Sequence, residues 1–255
     1  TGDMDFAAEA VWPVLRDACR WLASRVEHTE RGFEIFRAGG AAELDHPVDN
    51  SVFVNAAAIR TLEETMALAE RLGKRCPKLW PQIANGLVIP RRPNGVLVNH
   101  DGYDPNADKA ATPEAPAAIF PVGYRVDANV ERSTFEYFVK RAEEYVGSPM
   151  LSALLPVYAA RLGDRNRALE LLDAGYRAFV REPYTVTLEL SPTRYPDQPP
   201  AGPFTANIGG FLMALLYGFG GLRLGAGDPD SWCERAICLP AGWKTIHVDH
   251  LYARE

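Results

Sequence analysis

Residues 40–58 read GAAELDHPVDNSVFVNAAA: small residues surround one acid, Glu43, and lead through Pro47 into an apolar-patterned stretch. Asp49 or Asn50 suits a helix N-cap, because a side-chain oxygen there accepts an orphan amide proton of the first turn. Beyond them Val52, Ala56, Ile59, Leu62, Met66 and Ala69 or Leu72 recur at three- and four-residue spacing. This spacing predicts a helix with one buried stripe, and Gly73 ends it. Glu43 is thereby placed ahead of a helix N-terminus. Two readings of it stand at this point: a surface carboxylate that complements the helix dipole, and an acid offered to a ligand.

A second acid far down the chain, Glu189 in EPYTVTLELS (182–191), also falls in an irregular segment that joins helices. Two carboxylates brought together from such loops can divide acid and base work in glycoside hydrolysis. Between the two acids, residues 88–127 carry prolines 90, 93, 105, 113, 116 and 121 and read as irregular. A loop that long in a compact domain is functional, a connection between domains, or a surface insertion. Within it His100, Asp101, Tyr103 and Asp104 suit a sugar, since tyrosine stacks and carboxylates accept hydrogen bonds from hydroxyls.

The remaining pattern is helical. Residues 3–28 present Phe6, Ala10, Trp12-Pro13, Leu15, Ala18, Cys19, Leu22 and Val26 on a broad apolar face, with Pro13 expected to kink it. GFEIFRA (32–38) reads as a short strand, and a shorter helix over about 76–86 carries Leu79, Trp80, Ile83 and Ala84. Helices are expected at 128–145, 149–162, 165–180 and 205–217. The pair across Gly163-Asp164 suits both toroids and solenoids, and the absence of a second copy disfavours an open solenoid. AICLP (236–240) and KTIHVDHLYA (244–253) read as strands.

With 255 residues the chain can bury about 70 to 75 percent of its unfolded surface. A net charge of −6 offers no basic surface for phosphate backbones, so nucleic acid is not an expected partner. No apolar run is long enough to cross a bilayer, so no membrane is expected either. The first residues lack the basic and apolar regions of a signal peptide, which makes a cytoplasmic location the default. With no initiator methionine, the sequence reads as a processed or excised piece. The four cysteines form no CxxC pair and have no histidine at ligand spacing. Packed free thiols are expected, with Cys233 and Cys238 near enough to pair across a turn; no metal or other cofactor is expected.

VDNSVFVN (48–55) with Glu43 ahead of it, SPMLSALLPVYAARLGD (148–164), EPYTVTLE (182–189) and NIGGFLMALLYGFGGLRL (207–224) together resemble glycoside hydrolase family 65. The resemblance covers nearly the whole chain but only the later half of that family's catalytic barrel. It implies a mainly α fold, part of an (α/α)6 barrel or helical toroid, with a few C-terminal β-strands. Residues 1–224 would supply the later part of the barrel, with its long loop at 88–127. Residues 225–255 would form a short strand segment that covers the barrel or opens a sheet domain. The loops holding the two acids are then expected to open on the same end. In the family the acid matching Glu43 is the general acid, and in the hydrolase branch the acid matching Glu189 is the general base. His46, Asp49 and Asn50 beside the first acid, Tyr184 beside the second, and Tyr103 on the long loop are expected to hold the sugar. Where family members carry a lysine-glutamine pair, this chain reads AAIFPVGYRVD (117–127).

The reading that follows is an inverting α-glucosidase acting on a disaccharide or a glucosyl conjugate. A disaccharide phosphorylase of the same family is the nearer alternative, but TLELSPTRYPDQ (187–198) puts an acid where phosphate would bind, and like charges repel. A non-catalytic carbohydrate-binding or scaffold fragment is the alternative of another class. The expected partners are a small carbohydrate, the other barrel half and an N-terminal sheet domain from a further segment, and a second copy of the chain. On its own the chain is expected to be inactive and to leave apolar helix faces exposed.

Overall fold

The computed structural model describes residues 3–145, 149–182, 185–191, 193, 195–199, 201–223, 229–233 and 235–249. The chain divides into two compact units, Thr1–Ala110 with Glu114–Thr134 and Ala111–Pro113 with Phe135–Glu255.

In the first unit Pro13 shapes the opening helix. It has no amide proton for the carbonyl of Glu9, and its ring crowds that carbonyl. The helix widens to π geometry over Ala7–Val11, between Met4–Phe6 and Trp12–Arg25, with the Trp12 N–H bonding to the Ala7 carbonyl. The expected kink is taken up as a wider turn. The buried face is narrower than its apolar residues predict: Trp12 and Cys19 are covered, while Phe6, Val14 and Trp21 stand exposed. Among the described residues the helix packs one side against Val52–Arg71 and Leu79–Gly86.

Val52–Arg71 follows the predicted stripe, burying Val52, Ala56, Ile59, Leu62 and Ala69. Leu62 meets Cys19, Trp80, Ile83 and Ala84 in the core of the unit, and Met66, Phe33 and Cys76 pack against that cluster. Each fully buried large side chain there is worth about 1.5 to 3 kcal/mol. The helix ends as expected: Gly73 takes a left-handed turn at φ +63°, and the Lys74 N–H returns to the Ala69 carbonyl. The N-cap differs. Ser51 caps the helix by accepting the Val54 N–H, and Asn50, at φ +51°, is drawn away into a buried network. The segment 32–38 yields only Gly32–Glu34, which pairs antiparallel with Glu27–Thr29. Within the long loop the sequence conceals a helix, Glu114–Ile119, every residue of which is buried.

In the second unit Leu155–Arg161 turns through Gly163 into Arg165–Gly175, and the Asp164 carboxylate caps the latter by accepting the Arg167 N–H at 3.0 Å. The Thr205–Met213 helix continues as a π segment over Ala214–Phe219. Its approach to the 149–161 region is close, because a methyl group on Gly210 would lie 2.5 Å from the Ala153 Cβ. Phe135 stacks on the buried Tyr158 with ring centroids 4.8 Å apart. Val180–Arg181 and Val186–Thr187 form a second short antiparallel pair. The strands expected at 236–240 and 244–253 do not form among the described residues 235–249. Alternation marks a face, but a strand needs a partner for its backbone groups. The start of the segment is held instead by the Arg235 N–H to the Gly221 carbonyl and the Cys238 N–H to the Phe219 carbonyl. The four thiols are free, with Cys19 and Cys238 buried.

Candidate active site

Glu43 lies at the tip of a strapped loop in the first unit. At its base the Asn50 N–H bonds to the Ile35 carbonyl, and Ala38 and Val48 exchange both backbone hydrogen bonds. Residues 39–47 form the tip, turned by the Glu43 N–H to the Gly40 carbonyl. Glu43 is exposed and its backbone is left-handed, at φ +49°. For a residue with a Cβ that conformation costs about 1 kcal/mol or more and persists only where neighbours hold it. Two groups do so. The Glu114 Oε1 accepts the Ala42 N–H at 2.8 Å, and the Lys109 ammonium donates to the Glu43 carbonyl at 2.6 Å.

Glu114 sits at the start of the hidden helix and is 1% exposed. Burial pushes its carboxyl up to about 7, against the hydrogen bonds from the Ala42 and Ala41 amides, which lower it. Its carboxylate lies flat against the loop because residue 40 is glycine: a Cβ there would sit 2.2 Å from the Glu114 Oε1.

The base of the loop is braced from below. Asn50 is fully buried, and its NH2 donates to the Glu34 Oε2 at 2.7 Å and the Asp101 Oδ2 at 2.8 Å. Its carbonyl oxygen accepts the Ile35 N–H and the Asn55 NH2. Arg31 grips Asp101 with both guanidinium ends at 2.8 and 3.1 Å. Burial alone would raise the Asp101 carboxyl, but the hydrogen bonds from Arg31 and Asn50 outweigh it and hold the group below its ordinary range. The brace thus ties hairpin, loop and helix start to the segment that carries Tyr103.

Above this brace opens a cavity of about 280 Å³. Ala42 and Leu44, the residues either side of Glu43, line it, as do His46, His100, Tyr103 and Glu114. The His100 and Tyr103 rings meet edge to face at 6.0 Å, and the Tyr103 hydroxyl donates to the Ala110 carbonyl at 2.9 Å. Rings, imidazoles and carboxyls around a space of this size are suited to a polyol: apolar faces cover carbon while polar edges take hydroxyls.

Of the expected site residues, His46 and Tyr103 line the cavity; Glu43 itself does not, although its neighbours Ala42 and Leu44 do. Asp49 and Asn50 do not line it. Asp49 is exposed and accepts the Arg37 N–H at 2.9 Å, and the amide of Asn50 is fully engaged in the brace. Glu189 belongs to the second unit, exposed just after Val186–Thr187, with its N–H bonded to the Ala201 carbonyl at 2.8 Å. The Phe204 N–H and carbonyl both bond to Thr187, so the Glu189 turn is fastened to the start of the Thr205–Met213 helix. Tyr184 lies outside the described residues. Glu114 was not anticipated, although the sequence marks it: it is a lone acid in the run AATPEAPAAIFPV (110–122), where a charge has nothing polar but one threonine beside it.

No family model matches the chain. Curated relatives do. The chain is 28% identical over 249 residues to a kojibiose hydrolase of Flavobacterium johnsoniae, an alignment covering 97% of this chain and 35% of that protein. It is 29% identical over 222 residues to the protein-glucosylgalactosylhydroxylysine glucosidase of Danio rerio, covering 85% and 32%. A solved kojibiose phosphorylase-like protein from the human microbiome superposes with a TM-score of 0.62 at 14% identity, over 90% of this chain and 37% of that one. The fold is therefore mainly α and part of an (α/α)6 barrel. Relatives and fold together fit glycoside hydrolase family 65 or a related glycosidase family. The chain spans about a third of the length of the relatives it matches.

Proposed function

We propose that the protein hydrolyses α-linked glucosides with inversion, Glu43 acting as general acid and Glu189 as general base. The observation that carries the reading is the placement of Glu43: its immediate neighbours line a cavity furnished with His46, His100 and Tyr103, in a chain similar to α-glucoside hydrolases. Glu43 in its protonated form would donate to the leaving oxygen. Ionised Glu189 would take a proton from water attacking the opposite face of the sugar, which requires the two carboxyls to stand about 6.5 to 9.5 Å apart. His46 and Tyr103 would hold the glucosyl ring. Asn50 acts through the loop it braces. The remaining barrel helices and a sheet domain supplied by a further segment would complete the site.

Mutation separates the roles. Glu43→Gln should cripple substrates with poor leaving groups and spare activated aryl glucosides, which need little protonation. Glu189→Gln should depress both, and azide should restore turnover of activated donors by entering beside the neutral side chain. Each group contributes about 100- to 10,000-fold. Proton NMR of the first product should show β-glucose. Early α-glucose would rule out inversion, and a sugar phosphate formed in added phosphate would make the protein a phosphorylase.

A further inference from the structure

Glu43 is exposed and held in a backbone conformation that its own residue type disfavours, so something other than the loop's local preference sets its direction. The hydrogen bond at the loop's base, between Asn50 and Ile35, is several residues away. Nearer to Glu43 are two contacts from the long loop: the Lys109 ammonium on its carbonyl, and the Glu114 carboxylate on the amide just before it. The second is the stiffer. Lys109 is an exposed, flexible side chain, whereas Glu114 is 1% exposed and fixed in a helix. Gly40 lets the carboxylate press against the chain where any larger residue would displace it. A charge-assisted hydrogen bond in such a dry setting is strong and directional.

We propose that Glu114 is a positioning residue for the general acid: its carboxylate clamps the Ala41–Ala42 amides and so sets the direction in which Glu43 meets the leaving oxygen. This rests on the role proposed above for Glu43. Glu114 itself donates nothing to the sugar in this account. The titratable groups that share the cavity wall with it are Asp45, His46, His100, Asp104, Asp108 and Lys109. Burial raises this carboxyl to about 7, so the charge on the clamp changes around that pH.

Two variants approach the clamp from opposite sides. Glu114→Gln keeps the shape and puts an NH2 where one amide needs an acceptor. Gly40→Ala keeps the charge and pushes the carboxylate away. In the complete protein carrying this chain, both should lower kcat/KM for an unactivated α-glucosyl disaccharide about 10- to 100-fold and change that for an activated aryl glucoside by no more than about twofold. Equal loss on both substrates would mean a merely structural role and overturn the proposal, as would no loss on either. Hydrogen exchange of the Ala41 and Ala42 amides reads the clamp without reference to turnover. It should quicken in both variants while amides of the Val52–Arg71 helix keep their protection. Unchanged exchange overturns the proposal even where Glu43→Gln behaves as a general-acid variant. Faster exchange with no leaving-group dependence in Glu43→Gln sustains the clamp and refutes the chemistry assigned to Glu43.

Discussion

Replacing Glu114 by glutamine should make the protein more stable at alkaline pH while making it a poorer catalyst. In the fold the Glu114 carboxyl is raised from 4.5 to about 7 by burial. An acid whose pKa rises on folding keeps a proton in the native state that the unfolded chain has already released. The contribution of this group to stability is therefore greatest below about 4.5, falls as the pH climbs toward about 7, and is level beyond. At about 1.4 kcal/mol for each pH unit the interval corresponds to about 3 kcal/mol. Glutamine resembles the protonated acid in shape and hydrogen bonding and carries no ionisable group. The two proteins should match near pH 4.5, apart from about 1 kcal/mol for the amide turned toward a backbone donor. By about pH 8 the variant should lead by about 2 kcal/mol. Urea denaturation across this range measures the difference. A difference that does not change with pH would refute the reasoning, and so would a variant that loses stability as the pH rises. Greater stability combined with a loss confined to poor leaving groups would exclude partial unfolding as the cause of that loss.

Leu62→Ala should cost about 2 to 5 kcal/mol in denaturant titration, since the side chain is fully buried among Cys19, Trp80 and Ile83 and the helices around it cannot collapse on the void. Asp101→Asn should cost about 1 kcal/mol near neutrality, because Arg31 is half exposed and solvent screens the pair. The Asp101 carboxyl is held low in the fold, so its contribution is present above its unfolded pKa and is lost as the pH falls through the lower folded value. The gap between wild type and this variant should accordingly close in acid, as followed by thermal melting.

The elements readable in advance are those decided by local pattern. The stripe from Val52 to Ala69 needs only the helical period, and Gly73 needs only the freedom to turn left-handed. Where distant chain decides, the sequence misleads. Asp49 and Asn50 are both sound N-caps by residue type, yet Asn50 is claimed by Glu34 and Asp101, neither of which is near it in sequence, and the cap passes to Ser51. The prolines of 105–121 argue against regular structure, and Pro113 and Pro116 nonetheless suit the start of a short helix, where their missing amides cost nothing. The alternation in KTIHVDH is real, but among the described residues no neighbour offers it a ladder. That a second acid, Glu114, reaches the loop of Glu43 depends on a meeting of segments that no spacing encodes.

The two backbone pairings at the base of the Glu43 loop have a consequence for redesign. Because the Ile35–Asn50 and Ala38–Val48 contacts are made by main-chain atoms, the framework does not read the side chains of residues 39–47. That tip is in effect a cassette, exchangeable with tips of other lengths or sequences while the helix behind it stays capped by Ser51. Exchange is subject to one condition. The cassette has a socket, and the socket is position 114: a graft that omits the glycine at 40, or a host that lacks an acceptor at 114, would join the chain correctly and still point its acid the wrong way.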